Sequence, residues 1–491
     1  MRRGEILRRT NAILILLRLF FFSCHKLPVK LLLRLRSTFD FRLPLLIRGS
    51  DFSQDEKMAQ EDSAGALLRA LDRLRAMDER FARILSDPHA YRFQCVLTDC
   101  RCGTSGTSKS DSPSPRLEKY RCDEEYFYPA STIKLCVAVA ALHLVHRVRV
   151  AHVPDFELTT PLRFRYARDD DGSTRSFHEI SRDDTNRSGG VITLAHLIRN
   201  VFLVSSNGAH NLLLDFVGRS TLRQFLFAHL GYKHFRVDCY LQDSKFGPRP
   251  GDRLVGVEAS LASGAVGLPF GDDLLNYVFD PRRPPDSPPA PLFSDYSLGS
   301  SYVVSEGDWD RENLLEEAGG IVQRPKDMSR KNQASLIELQ DFLIRVCRPD
   351  LFTEGRRRFG GSNKPPDILS FADRAWLTET MSRKTTESYN PDYREGGAYA
   401  EDWNKLFLPG VLRARSGDAV RIANKLGQAY GFTLDNAMIC DVETGRTFFL
   451  AACVYTNENG TLNDDVYQYD LGESLLAALA EACCLELGIR D

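Results

Sequence analysis

Apolar positions fall at helical spacing between Asp62 and Ser86, where Leu67, Leu68, Leu71, Leu74, Phe81, Ile84 and Leu85 form one stripe. This pattern predicts an amphipathic helix ended by Asp87-Pro88. Tyr91 to Asp99 alternates in part and predicts a strand, with a possible return strand at Glu124 to Tyr128 after the Ser/Gly/Pro/Thr-rich turn Gly103 to Pro115. Thr132 to Val150 is a helical pattern that is hydrophobic nearly all round from Leu135 to Val145, which predicts a central, buried helix. Further helices are expected at Thr193 to Phe202, Gly208 to Val217, Thr221 to Leu230 (closed by Gly231), Ser335 to Val346 and Gly472 to Glu486.

In the last third the period changes. Ala419 to Lys425, Asn436 to Asp441 and Thr447 to Tyr455 are short apolar or β-branched runs, and Glu443-Thr-Gly-Arg446 predicts a hairpin turn between the last two. Strands therefore sit at both ends of the sequence and helices in the middle. The economical arrangement is an α/β (α+β) fold: one antiparallel sheet flanked by the terminal helices, with an all-helical domain inserted between its strands. We expect a sheet-and-helix domain from 58–150 and 405–491, and a helical domain at 151–404. Residues 247–323 are rich in Pro and poor in periodic signals, and read as a surface insertion or lid.

Composition narrows the functions. Of the 491 residues, 43% are apolar and 26% charged, which fits folded domains rather than a disordered chain. A net charge of −2 gives no reason to expect nucleic acid as a partner. No run of eighteen apolar residues predicts a membrane span. The segment 1–57 differs from the rest: it is basic, and Ala12 to Phe22 is an apolar run broken by Arg18. It reads as an export signal, with a spurious extension ahead of Met58 or a surface-binding leader as alternatives. On the first reading the mature chain is periplasmic or secreted; on the second it is cytoplasmic. The twelve Cys show no C-x-x-C pair, so no zinc ribbon or redox pair is expected. His143 and His146 lie i, i+3 on a helix without further ligands, so neither a metal nor a cofactor is expected.

Three short motifs carry candidate chemistry. Ser131-Thr-Ile-Lys134 opens the buried helix. A Ser there meets unpaired backbone N–H groups and the positive end of the helix dipole, a favourable place for a developing alkoxide. Lys134 follows one turn along on the same face, and burial favours its neutral form as a base. Ser205-Ser206-Asn207 lies between two helices, where a hydroxyl can relay a proton and an amide can hold a substrate amide. Lys425-Leu426-Gly427 ends a predicted strand; Lys425 can pair with a carboxylate, and Gly427 permits close approach to the backbone. Singly, each has a plain structural alternative: helix capping for the two Ser motifs and a strand-edge charge for Lys425.

Together and in this order, the motifs resemble those of class A β-lactamases and related penicillin-recognising serine hydrolases. The resemblance rests on Phe127-Tyr-Pro-Ala-Ser-Thr-Ile-Lys-Leu135, on Ile192-Thr-Leu through Val204-Ser-Ser-Asn-Gly-Ala-His-Asn-Leu-Leu-Leu214, and on Asn424-Lys-Leu-Gly-Gln-Ala-Tyr-Gly431 with Asp435-Asn-Ala-Met-Ile439. It implies that Ser131 is acylated, that Lys134 is its base and that Ser205 passes a proton to the leaving nitrogen. Asn207 would bind the substrate amide and Lys134, and Lys425 the substrate carboxylate. The N–H groups of Ser131 and Gln428 would form the oxyanion hole. The implied partner is a small-molecule β-lactam or a peptidoglycan-derived peptide, acted on by a monomer.

The sequence departs from that family's pattern in three places. Ser206 stands where the family has Asp, and Leu426 where it has Thr or Ser. The family's deacylating Glu has no counterpart: no Glu occurs between Asn207 and Val257, and Asp238 and Asp243 are the nearest acids. Acylation is therefore expected to be better equipped than hydrolysis of the acyl-enzyme. A non-catalytic binding or sensing module on the same fold is the alternative from another class.

Overall fold

The computed structural model describes residues 65–100, 115–170, 174–241, 246–249, 251–275, 291–304, 319–352, 368–394 and 399–491. The basic leader, most of the 103–115 turn, most of the Pro-rich run at 281–291, and Asp243 lie outside the described residues.

A five-stranded antiparallel sheet forms the spine. Its strands are β1 (Gln94–Asp99), β2 (Arg116–Tyr120) and three late strands given below as β7 (Val420–Ala429), β8 (Phe432–Asp441) and β9 (Thr447–Tyr455). They lie side by side in the order β7-β8-β9-β1-β2, so first and last parts of the chain interleave and β7 is an edge. Alternate side chains of a strand leave opposite faces. Phe448, Leu450 and Ala452 of β9 enter one core with helix α1 (Ala66–Met77) and the C-terminal helix Tyr469–Glu486. Phe449, Ala451 and Cys453 enter the other core, with the central helix α3 (Lys134–Ala151). Every residue from Leu135 to Val145 is buried in α3, as its all-round hydrophobicity predicts.

The architecture is the mixed helix-and-antiparallel-sheet fold read from the sequence, with three corrections. The 62–86 helix is two helices, α1 and α2 (Glu79–Ser86), because Asp78 is extended and its carboxylate caps α2 by accepting from the Arg80 N–H. The return strand is β2, not Glu124 to Tyr128; β2 lies half-exposed and mostly polar, so it lacks the apolar alternation that reveals a strand. The region between α3 and β7 is not purely helical. It carries a second antiparallel sheet, β4-β3-β5-β6, formed by β3 (Leu162–Asp170), β4 (Thr174–Ile180), β5 (Asp252–Leu261) and β6 (Gly264–Leu268). The period-2 pattern was present in Leu162-Arg-Phe-Arg-Tyr, whose Leu162, Phe164 and Tyr166 are buried. The described part of 247–323 is thus partly a structural hairpin rather than only a surface insertion.

Two helices of this region place site residues. In α4 (Leu194–Leu203) the first turn is capped by Thr193, and in α5 (Asn207–Val217) by Ser206, whose hydroxyl accepts from Ala209 N–H at 3.1 Å. Ser206 thus serves as the N-cap of α5.

Candidate active site

Ser131 lies in a single 3₁₀ turn, Ala130–Ile133, that leads directly into α3. The turn is shaped by its sequence: Thr132 Oγ1 donates to Pro129 O at 2.5 Å, and Ala130 is held at φ 46°, in the left-handed region. A non-glycine residue there costs about 1–3 kcal/mol and persists only where packing enforces it. Ser205, at φ 53°, is a second such residue in the same cleft.

The edge strand β7 runs past the turn. A Cβ placed on Gly427 would stand 2.8 Å from Ser131 N and 3.0 Å from Ala130 Cβ, so only glycine allows this approach. The next residue, Gln428, lines the same cleft, and its side chain donates to Glu473 at 2.9 Å. The cleft encloses about 970 Å³, and Ser131, Ser205, Asn207, Lys425 and Gln428 all line it.

Lys134 is fully buried. Its ammonium donates to Ser205 O at 2.5 Å, to Asn207 Oδ1 at 2.6 Å and to Ser205 Oγ at 3.3 Å. From the other side Lys425 Nζ donates to Ser205 Oγ at 2.8 Å and to Leu426 O at 2.8 Å. One hydroxyl thus sits between two amines brought from the first and last parts of the chain. Burial pushes Lys425 down to about 7, opposed by the Asp435 carboxylate. His210, one turn beyond Asn207 on α5, is fully buried with both ring nitrogens unpartnered. Burial, Lys134 and Lys425 all lower its pKa, so it stays a neutral imidazole.

The flank expected to supply a water-activating carboxylate is built differently. Asn211 holds the backbone of Leu241 from both sides: Nδ2 donates to Leu241 O at 2.8 Å, and Oδ1 accepts from Leu241 N at 3.1 Å. Asp238, three residues earlier, is engaged by Arg236 at 2.6 Å and Arg223 at 3.0 Å. Glu258, the first Glu after Asn207, lies on β5 and faces Arg165 at 3.4 Å. The backbone of Phe246 passes close to the start of α5; a Cβ on Gly208 would meet its carbonyl oxygen at 1.9 Å.

Sequence reading missed several residues that shape this cleft. Asn211 could have been suspected from its i+4 spacing to Asn207. Glu473, Trp403 and Lys405 also line the cleft but belong to no motif and carry no local signal. Among the described residues no group of His, Cys, Asp and Glu is arranged to hold a metal ion, and no helix is long and apolar enough to cross a membrane.

Comparison with known proteins agrees with the resemblance carried by the motifs. Residues 118–256 match the model described as the beta-lactamase enzyme family. The matched segment includes Ser131, Lys134, Ser205 and Asn207 but ends well before Lys425. It supports a β-lactamase-like hydrolase. Among solved structures, the chain is similar to a β-lactamase from Desulfarculus baarsii DSM 2075, at 16% identity and a TM-score of 0.41, over 85% of this chain and 98% of that one. It is also similar to a β-lactamase from Burkholderia ambifaria (16%, TM-score 0.40, 83% and 98%) and to one from Streptomyces albus G (15%, TM-score 0.41, 82% and 99%). No curated protein matches the chain.

Proposed function

We propose that the chain is a serine acyl-transfer enzyme of the class A β-lactamase kind, which opens β-lactams or related amides on Ser131. The observation that carries this reading is the Lys134–Ser205–Lys425 contact chain in the cleft lined by Ser131. Ser131 Oγ attacks the carbonyl carbon while Lys134, acting in its neutral amine form, takes its proton. The resulting oxyanion is met by the backbone N–H groups of Ser131 and Gln428. The C–N bond then breaks, and the leaving nitrogen receives a proton through Ser205. Asn207 holds the substrate amide, and Lys425 the carboxylate. Gly427 leaves room for the carbonyl against β7. Water finally hydrolyses the Ser131 ester.

That last step is the weak one. The described carboxylate nearest to the expected base, Asp238, is neutralised by two arginines, and Leu426 offers no hydroxyl to a substrate carboxylate. The ion-paired Asp238 favours slow deacylation, as in a penicillin-binding peptidase or esterase, while Leu426 bears on which substrates bind. A fluorescent penicillin should label the wild type covalently and leave Ser131→Ala unlabelled. Persistent labelling without nitrocefin turnover selects the peptidase or esterase; rapid turnover selects the β-lactamase. An unlabelled wild type would sink both and leave a binding module on this fold. If the basic leader is an export signal, the protein acts in the periplasm or outside the cell, and if that leader is spurious, in the cytoplasm; fractionation of the native producer separates the two.

A further inference from the structure

Behind the edge strand lies a buried polar chain that the acyl-transfer chemistry does not use. Lys405 Nζ donates to Met381 O at 2.8 Å, Ile422 O at 2.8 Å and Asn424 Oδ1 at 3.0 Å. Asn424 Nδ2 donates onward to Asp435 Oδ1 at 2.8 Å and to Asn404 O at 2.9 Å. Asp435 also accepts from the N–H groups of Leu406 at 3.0 Å and Asn436 at 2.9 Å. Lys405, Asn424 and Asp435 are 1%, 3% and 0% exposed. The Asn424 amide stands between the charges, its oxygen to the ammonium and its nitrogen to the carboxylate.

The chain also reaches the other side of the cleft. Asn404 Nδ2 donates to Arg383 O at 2.9 Å and Phe202 O at 3.3 Å. Phe202 lies three residues before Ser205, and Asn424 immediately precedes Lys425. One short stretch, 404–406, therefore grips both the end of α4 and strand β7, which carry the two partners of the Ser205–Lys425 contact. Apolar side chains of similar size could fill the same space without the cost of desolvating two charges. What they could not supply is direction: three acceptors around Lys405 and three donors around Asp435 fix where each strand lies.

We propose that Lys405, Asn424 and Asp435 form a positioning clamp that sets the separation of Ser205 and Lys425. The proposal rests on the acyl-transfer reading for its consequence. The charged and titratable groups facing Lys425 are Lys134 across Ser205, His210 on α5 and Asp435 on β8. Asp435 is the anion among them, so it also favours the charged form of Lys425.

The test uses the full chain with Asp435→Asn, Lys405→Met, Lys405→Arg and the charge-neutral double variant Lys405→Met/Asp435→Asn. Two quantities are read on folded protein. One is the second-order rate of labelling by a fluorescent penicillin against pH. The other is the titration of the Lys425 ¹³Cε signal, assigned with Lys425→Arg. We expect Asp435→Asn to slow labelling at least tenfold and to move the Lys425 titration to lower pH. Lys405→Arg should retain more labelling than Lys405→Met. If the single variants do not fold, the double variant, which removes both members of the Lys405–Asp435 pair together, should fold and still label at least tenfold slower. Wild-type labelling rate in a folded Asp435→Asn or double variant overturns the clamp while the acyl-transfer reading stands. If the wild type does not label, that reading falls separately, and an unchanged Lys425 titration in Asp435→Asn overturns the clamp on its own.

Discussion

Lys425 Nζ donates to Ser205 Oγ at 2.8 Å although 220 positions of sequence separate them. The same hydroxyl lies 3.3 Å from Lys134 Nζ. A proton can therefore pass through one oxygen held between two amines. Ser205 carries the proton, and Lys425 orients that hydroxyl as well as holding the substrate carboxylate, so removing either side of this contact should impair the same step. Ser205→Ala and Lys425→Ala are each expected to slow labelling of Ser131 by about 10²–10⁴-fold, the range of a lost proton-transfer group. The double variant should lose little more than either single one, because both act through one contact. Fully multiplicative losses in the labelling rates would separate the two roles.

The depressed pKa of Lys425 gives a pH dependence with a defined sign. A lysine is charged below its pKa, so the Lys425 charge is present at pH 6 and fades as pH rises through about 7. Labelling by a carboxylate-bearing penicillin should fall about tenfold per pH unit above that value. An uncharged ester probe should not follow the same limb. Stability moves oppositely. The folded pKa lies below the ordinary lysine value of 10.5, so the folded chain binds fewer protons between about 7 and 10.5 and gains stability as pH rises there. Lys425→Met should flatten that part of the Tm–pH curve. An alkaline limb centred above pH 9 in the wild type would contradict the assignment.

The parts of this site legible in the sequence are those with a local cause. Ser131 and Lys134 lie within one turn, and Ser206 caps the helix that begins at Asn207, so local spacing brings them to notice, and the order of the three motifs lifts them above ordinary capping. The extent of β7 was harder: the sequence suggests a strand ending at Lys425, yet pairing with Thr433 and Phe432 carries it through Gln428 and Ala429. Backbone pairing, not side-chain pattern, decides there. Lys405 and Asp435 were not legible as partners at all. Each looks like a surface charge until the fold buries it, and only three-dimensional proximity supplies the amide that joins them. The second sheet was missed for another reason. Its strand β5 reads as irregular, with Gly256 in its middle, until β3 pairs alongside it.

Gly427 tests the close approach of strand and nucleophile. A Cβ there would lie 2.8 Å from Ser131 N and 3.1 Å from Thr132 N, both backbone atoms that cannot rotate away. Gly427→Ala should displace β7 or the Ser131 turn and cut labelling by more than about tenfold, since small misplacements of reacting groups carry large rate costs. Ala423→Gly, on the same strand but away from the turn, serves as the control and should keep labelling near wild type. Equal labelling by Gly427→Ala and wild type would show that the turn tolerates the added methyl.

Glu338 supplies a stability signal remote from the chemistry. Its carboxylate accepts from the N–H groups of Lys233 and His234, both at 2.9 Å, while burial raises its pKa to about 7. The folded chain therefore binds this proton more tightly than the unfolded chain, whose value is near 4.5. The resulting stabilisation is present in full below pH 4.5 and is lost as pH rises to about 7. Glu338→Gln keeps an acceptor but removes the titration. The Tm difference between wild type and variant should shrink steadily from pH 4.5 to 7.5. A constant difference across that range would mean that the carboxylate does not titrate there.

Asn211 ties α5 to the Leu241 backbone. Its amide makes two buried bonds to the Leu241 backbone, and alanine supplies neither. Leaving a buried donor and acceptor unmade costs about 1–3 kcal/mol each. Asn211→Ala should therefore lower Tm by several degrees. Asn207, one turn earlier, would still hold Lys134, so the acylation rate measured well below the new Tm should stay within about threefold of wild type. The lifetime of the acyl-enzyme should change instead if Arg236–Leu241 takes the place of the deacylation loop, as the resemblance implies. Intact-protein mass spectrometry after a short penicillin pulse gives both rates from one experiment. A variant that acylates tenfold slower while releasing the adduct at the wild-type rate would place Asn211 on the catalytic face after all.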